Sequence, residues 1–356
     1  MSRAGHLDCI CGPLADDSAR NRSDSWRLTA GFALAVLAQA LTLAALPVAG
    51  AKLAPLPLLA NLPYALTMSG AAIASIPASL LLDQFGRRAA FGLGASLGAA
   101  GGVLCGSAIV TQQFGELCLG ALWIGIAQGF ALFYRHASAS ARTGGSRAAL
   151  TALAGGCAAS VLAPGAIALC QTLYGPFADF ALMLVVGAVS FAALPLLLTL
   201  PHRQAEFATT ALTKTGLNFW PATAIAAMSW FVMARAMAGA PGALTGCGLG
   251  ASAVGGLVAW HLIAMYGPIA IASRTTPPTV PVIASGAAML AVAALAPRSG
   301  PYQIEPLLLA AGIGWSLVQI GVSRLLYEAP HSRLALGLHD TLILGTAMSG
   351  ALSAGL

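Results

Sequence analysis

Charged residues are scarce in this sequence. Asp, Glu, Lys and Arg make up only 8% of its 356 residues, whereas about a quarter of a typical soluble domain is charged. Hydrophobic residues reach 58% and the mean hydropathy is +0.82, which excludes an ordinary soluble domain. The sequence also lacks a phosphate-binding glycine loop, a catalytic triad and a pair of catalytic carboxylates. We therefore expect a membrane protein that is not an enzyme.

Long hydrophobic runs take the place of the missing charges. A membrane-spanning helix needs about 20 apolar residues, and about eleven segments meet that length. They are expected near 28–50, 56–82, 89–110, 115–137, 148–171, 178–200, 220–240, 244–268, 279–297, 303–327 and 337–356. The sequence thus predicts an all-α polytopic membrane protein with about 11, possibly 12, transmembrane helices.

The polar segments divide this chain into parts. We expect a cytoplasmic tail at 1–26, a six-helix N-terminal half at 27–200, a cytoplasmic central loop at 201–219 and a C-terminal half at 220–356. Basic residues are concentrated in alternate loops, whereas the opposite loops contain only Lys52 and Arg298. Since Lys and Arg are retained in cytoplasmic loops, the N-terminus is predicted to be cytoplasmic. The net charge of +6 is therefore explained by basic loops at the surface of the lipid bilayer, and no nucleic acid is expected as a partner.

The loop after the second predicted helix carries a motif. Residues 79–88 are SLLLDQFGRR, which resembles the signature of the major facilitator superfamily, with serine in place of its first glycine. The resemblance implies a fold of two helical halves and a conformational gating role for Asp83, Gly86, Arg87 and Arg88. In the fourth helix, Gly125 stands where a motif of that superfamily normally has an intramembrane arginine.

Two pairs of possible metal ligands lie in consecutive predicted helices. Met233 and Met237 are four residues apart, as are His261 and Met265, so each pair lies on one helix face. Thioether and imidazole groups bind soft metal ions such as Cu(I), and a histidine deep in a membrane helix indicates function. The alternative is that the methionines fill gaps in an apolar core. The two pairs could form one shared site or a sequential relay.

The surrounding residues narrow the resemblance. The segments MARAM at 233–237, WHLIAMYGP at 260–268 and GIGW at 312–315, with His339-Asp340, are similar to the CcoA-type copper importers of the superfamily. Those bacterial inner-membrane proteins supply copper to the cbb3-type cytochrome c oxidase. The resemblance implies copper as the transported substrate, with Met233, Met237, His261 and Met265 as its ligands. It further implies a cytoplasmic copper chaperone or oxidase assembly factors as partners.

Further residues extend this copper hypothesis. Cys247 precedes Met265 by eighteen residues, which is five helical turns and therefore the same face, so Cys247, Cys9 and Cys11 are candidates for a metal relay. Cys247 could equally be a small buried residue, and the other two could belong to an unstructured tail. Asp340, beside His339, is a candidate for proton coupling, or else a helix cap or structural ion pair.

Three functions of different classes remain open. The first is a copper importer that works by alternating access. The second is a permease for a small organic solute, with structural Met and His residues. The third is a non-transporting copper sensor or assembly factor.

Overall fold

The computed structural model describes residues 17–139, 145–200, 216–246, 248, 251–275, 277–295 and 301–354. Within these ranges the chain forms helices and contains no strand. The prediction of an all-α protein is therefore confirmed.

Twelve α-helices follow one another along the described chain. They are α1 (Asp17–Leu53), α2 (Leu62–Gln84), α3 (Gly86–Thr111), α4 (Phe114–Ala139), α5 (Gly145–Ala154), α6 (Gly156–Tyr174), α7 (Ala178–Leu198), α8 (Phe219–Gly246), α9 (Ala251–Ala272), α10 (Thr279–Leu295), α11 (Pro301–Leu326) and α12 (Arg333–Ser353). Only Gly155 separates α5 from α6, and its backbone is also helical, with φ −54° and ψ −28°. Counted as one, α5 and α6 bring the number of long helical segments to eleven, as predicted. Helix α1 starts at Asp17, inside the segment predicted as a tail.

The helices have the length and surface of membrane spans. Seven described stretches are long and apolar enough to cross a membrane; one of them, 145–198, contains both α5–α6 and α7. Shorter apolar helices occupy 256–272 and 279–295. Large apolar side chains such as Val161, Phe191 and Trp260 are exposed on the helix surfaces. An apolar exterior of this kind matches a lipid environment, so the chain is a multi-pass membrane protein.

Two groups of helices pack against each other to form the bundle. The N-terminal half comprises α1–α7 and the C-terminal half comprises α8–α12. Helix α2 packs along α12, and α6 packs along α9, so these two pairs join the halves. Within the C-terminal half, α11 packs against both α8 and α9, which barely touch each other.

Glycines allow the closest of these helix contacts. A Cβ on Gly125 of α4 would lie 2.1 Å from the carbonyl oxygen of Thr67, and one on Gly70 of α2 would lie 2.3 Å from that of Leu122. The backbones of α2 and α4 therefore touch, as small residues permit in membrane helices. This contact gives a physical reason for the departure from the superfamily motif, because an arginine at position 125 would collide with α2.

The turn between α2 and α3 depends on another glycine. Gly86 has a φ of 78°, in the left-handed region that residues with a Cβ rarely adopt. The tight turn expected at this position is present, and it places Arg87 and Arg88 at the start of α3.

Candidate functional site

A cavity lies between the two halves of the bundle. Its empty volume, which includes space open to the surroundings, is about 520 Å³. Helices α1, α2, α4 and α5 contribute to it from one half, and α8, α9, α11 and α12 from the other. The lining residues are Phe32, Ala35, Val36, Gln39, Met68, Ala71, Gln128, Ala131, Leu132, Arg135, Leu153, Trp230, Tyr266, Trp315 and Leu344.

Four aromatic rings form a connected series along the cavity wall. Phe32 of α1 lies 6.0 Å from Tyr266 of α9, and Tyr266 lies 5.8 Å from Trp315 of α11, between ring centroids. Trp315 in turn lies 5.4 Å from Trp230 of α8. All three contacts are edge-to-face, with interplanar angles of 74°, 74° and 83°. Such a wall favours a ligand with a flat aromatic surface.

Several polar atoms of the cavity lining are buried without a partner. The indole nitrogens of Trp230 and Trp315, the amide nitrogen of Gln128 and Nε of Arg135 have no hydrogen-bond partner among the described residues. All four are N–H donors. Met68 is the one lining residue that carries a sulfur ligand for a soft metal.

A second recess lies near Arg235 in the C-terminal half. Its open volume is about 740 Å³, and its described lining is aliphatic apart from Arg235. Every helix that lines it belongs to α8–α12, whereas a solute that crosses by alternating access must contact both halves. The cavity between the halves is therefore the candidate transport site.

A buried charge network borders this site. Arg135 Nη2 of α4 donates to Asp340 Oδ1 of α12, and both side chains are at most 4% exposed. His136 Nε2 lies 3.1 Å from Asp340 Oδ2, and His136 Nδ1 lies 2.6 Å from the Tyr327 hydroxyl. In a neutral imidazole, Nε2 donates to the carboxylate and Nδ1 accepts from the Tyr327 hydroxyl. The charges of Arg135 and Asp340 therefore compensate each other.

Of this network, only Asp340 and its neighbour His339 were predicted from the sequence. Asp340 is an ion-pair partner in this conformation, and His339 Nδ1 lies 2.8 Å from the Thr223 hydroxyl of α8. Arg135 and His136 lie near the end of the predicted helix 115–137, where a basic residue is expected to reach the cytoplasmic surface. In the structure α4 continues to Ala139 and both side chains are buried. The signal available in the sequence was an Arg-His pair in an apolar helix.

The superfamily-like motif contributes contacts at the same end of the bundle. Asp83 Oδ1, at the end of α2, lies 2.5 Å from Arg333 Nη1, at the start of α12. Arg87 donates to the Ala137 carbonyl at 3.0 Å, and Arg88 donates to the Leu200 carbonyl. Asp83 thus joins the two halves, whereas Arg87 and Arg88 hold helices together within the N-terminal half.

One further arginine links the halves. Arg147 of α5 donates to the carbonyls of Ser273 and Arg274, at the end of α9, over 2.8 and 3.2 Å. We call the end of the bundle that carries Arg87, Arg147 and Arg333 the basic end. Ion pairs and hydrogen bonds close the two halves on each other there.

The predicted copper ligands lie elsewhere. Met233 and Met237 on α8, and His261 and Met265 on α9, are all buried. Helix α11 packs against both of these helices, and none of the four residues is among those that line the cavity. The choice between one shared site and a relay stays a prediction.

His261 has one feature that suits a ligand. Its Nδ1 lies 2.8 Å from the Leu308 carbonyl of α11, so Nδ1 carries the proton. Its Nε2 is buried without a partner among the described residues and offers a lone pair. Gly312 makes room for the ring, because a Cβ there would lie 3.2 Å from His261 Nδ1.

The candidate relay cysteines Cys9, Cys11 and Cys247 lie outside the described residues. Within the described part of the chain, no three His, Cys, Asp or Glu residues are grouped so as to hold a metal ion.

Comparisons with known proteins identify the fold. The chain matches a proton:xylose symporter, XylE, of the major facilitator superfamily with a TM-score of 0.74 at 13% identity, over 95% of this chain and 88% of that one. It matches the human organic anion transporter TETRAN with a TM-score of 0.69 at 16% identity, over 97% and 94%. The predicted fold is therefore confirmed. No family model matches the chain.

One sequence relative is named for a substrate other than copper. The riboflavin transporter RfnT of Brucella anthropi is 29% identical over 326 residues, which cover 86% of this chain and 81% of that protein. These comparisons do not support the narrower resemblance to copper importers.

Proposed function

We propose that this protein is a permease for a small organic solute, which binds in the cavity between the two halves. The observation that carries the proposal is the cavity itself, because both halves line it and a series of four aromatic rings runs along its wall. This is the second of the three functions considered from the sequence. The first, copper import, has less support.

Riboflavin is the first candidate solute. Its ring system is flat and aromatic, which matches the series of rings from Phe32 to Trp230. The similarity to a riboflavin transporter supports the same choice.

Alternating access would operate through the basic end. Loops rich in Arg are retained on the cytoplasmic side, so the basic end faces the cytoplasm and this conformation is closed on that side. Opening requires the Asp83–Arg333 and Arg135–Asp340 pairs to separate. The solute would then pass inward after those contacts break.

Proton coupling would use the same network. Asp340 is paired with Arg135 while the halves are closed, whereas separation at the basic end removes this counter-charge and opens Asp340 to protons from the cytoplasm. Asp340, with His339 beside it, is therefore our candidate for the coupling site. A proton gradient directed into the vesicles should accelerate riboflavin uptake by the native protein. The same gradient should leave the rate of uptake by folded Asp340→Asn unchanged.

The direct test is uptake of radiolabelled riboflavin by vesicles that contain the purified protein. We expect saturable uptake by the native protein and strongly reduced uptake by Trp315→Ala, which removes a ring from the cavity wall. Trp260→Ala is the matched control, because Trp260 lies on α9 but is 62% exposed on the helix surface. Absence of riboflavin uptake by the native protein would refute the flavin substrate.

Copper import is kept as a second candidate because of one observation. His261 lies four residues before Met265, and its Nε2 has no partner among the described residues. Its Nδ1 donates to the Leu308 carbonyl, as is common for histidines that bind metals. Copper uptake in the same vesicles, compared between the native protein and His261→Ala or Met233→Leu, tests it. Uptake that both variants abolish would favour copper; no copper uptake by the native protein would remove it.

A further inference from the structure

The polar atoms left unpaired in the cavity are all of one kind. Trp230 and Trp315 are 5% and 2% exposed, and their indole N–H groups have no hydrogen-bond partner among the described residues. Gln128 Nε2 and Arg135 Nε are likewise buried and unpaired in the part of the chain that the structure describes. Each of these four groups donates and none of them accepts a hydrogen bond.

Unpaired donors at these positions carry a chemical requirement. A buried N–H without an acceptor costs free energy, and most buried polar groups in proteins have partners. In a transport cavity the partner can be the solute itself. A suitable solute must therefore present hydrogen-bond acceptors, such as carbonyl oxygens or ring nitrogens, along its edges.

The donors come from both halves of the bundle. Gln128 and Arg135 belong to α4, whereas Trp230 belongs to α8 and Trp315 to α11. A solute with acceptors on two edges would bind donors of the two halves at the same time. Binding would then depend on how the halves approach each other.

The electrostatics of the cavity restrict the charge of the solute. Arg135 is the one residue of the described lining that carries a full charge, and Asp340 compensates that charge. The four unpaired N–H groups offer no lone pair to a cation. A buried anion would also remain without a counter-charge, at a high cost in desolvation.

We propose that the cavity recognises an uncharged, flat heterocycle whose acceptors receive hydrogen bonds from Trp230, Trp315 and Gln128, with Arg135 Nε as a fourth donor. This inference rests on the proposed function, and it names the specificity-determining residues of the same site. The aromatic series binds the faces of the ring system, and the donors select its edges.

The experiment measures riboflavin uptake by vesicles containing Trp230→Phe, Trp315→Phe or Gln128→Leu. The Trp→Phe changes retain an aromatic ring and delete the donor. Each should raise the KM for riboflavin about three- to tenfold, the loss expected for one neutral hydrogen bond. Trp260→Phe on the exposed surface of α9 is the control and should leave the KM unchanged.

Two competitors test the class of solute in the same assay. Lumichrome, an uncharged tricycle with ring carbonyls, should compete with riboflavin. Proflavine, a flat tricyclic cation without carbonyls, should not compete at the same concentration. Competition by proflavine, failure of lumichrome, or a native KM in all three donor variants would overturn the proposal and leave the permease function intact. Absence of riboflavin uptake by the native protein would overturn both.

Discussion

Arg135 and Asp340, which are 205 residues apart in the sequence, form a buried ion pair between α4 and α12. The pair joins the two halves at the basic end and borders the cavity. His136 and Tyr327 complete the hydrogen bonds of the network. Closure at this end therefore depends on a buried charge pair.

The variant Asp340→Asn should destabilise the protein strongly. It leaves the Arg135 guanidinium buried without a counter-charge, which costs about 3–5 kcal/mol in comparable buried pairs. The thermal unfolding midpoint of the purified protein in detergent is the measurement. The double variant Asp340→Asn/Arg135→Gln should recover part of the loss, because it removes both charges.

Asp179→Asn is the matched control for that prediction. Asp179 of α7 pairs with Lys52 of α1 at 2.8 Å within the N-terminal half, and Lys52 is 63% exposed. Exposed pairs contribute about 0–1 kcal/mol, so the midpoint should hardly change. Equal losses in Asp179→Asn and Asp340→Asn would contradict a special role for the buried pair.

Alanine substitutions of Gly125 and Gly165 should change the stability of the protein in opposite directions. In Gly125→Ala the added Cβ meets the Thr67 carbonyl at 2.1 Å, so α2 and α4 must move apart, at a cost of about 1–3 kcal/mol. In Gly165→Ala nothing lies within 4 Å of the new Cβ, and alanine should stabilise the helix by about 0.4–1 kcal/mol. Thermal unfolding of both variants tests the opposite signs.

The Asp83–Arg333 pair should influence the transport cycle more than the fold. Asp83 is 48% exposed, but Arg333 is only 5% exposed and loses a charged partner, so Asp83→Asn should cost the closed conformation about 1–2 kcal/mol. We expect a change of about five- to thirtyfold in the rate of riboflavin uptake, with a smaller shift of the unfolding midpoint than in Asp340→Asn. The exchange of both residues, Asp83→Arg with Arg333→Asp, should restore part of the rate; no recovery would argue against the ion pair as a gate.

The methionines provide a prediction that discriminates between the substrates. Met233 and Met265 are buried and do not line the cavity, and leucine replaces a structural methionine at a cost below about 1.5 kcal/mol. Met233→Leu and Met265→Leu should therefore retain the native KM for riboflavin. A marked loss of riboflavin uptake in folded protein would place these residues in the solute path.

The sequence predicted the helices because hydrophobic length is a local property. About eleven segments of membrane-spanning length appeared in it, and their ends agree with those of the described helices to within a few residues for most of the chain. The turn at Gly86 was also predictable, since a glycine beside a charged motif indicates a tight connection. The start of α1 was less so, because Asp17–Trp26 is polar and yet continues the helix.

The candidate site was not predictable in the same way. Trp230 and Trp315 are hydrophobic residues in hydrophobic helices, and only packing shows that both face one cavity. Arg135 lies near a helix end, where a basic residue can either reach the membrane surface or turn inward. The local sequence does not predict which of these orientations Arg135 adopts, because its partner Asp340 belongs to the other half. The spacing of Met and His, in contrast, is visible in the sequence, but it predicts a site outside the cavity.

Gly156 of α6 lies directly against the ring of Tyr266, and a Cβ at that position would lie 2.5 Å from the ring. Tyr266 also lines the cavity, whereas Gly156 does not. Any bulk at position 156 would therefore displace a ring of the cavity wall. The shape of the cavity thus depends on a residue outside its lining, and a change of substrate range in our proposed permease could begin there.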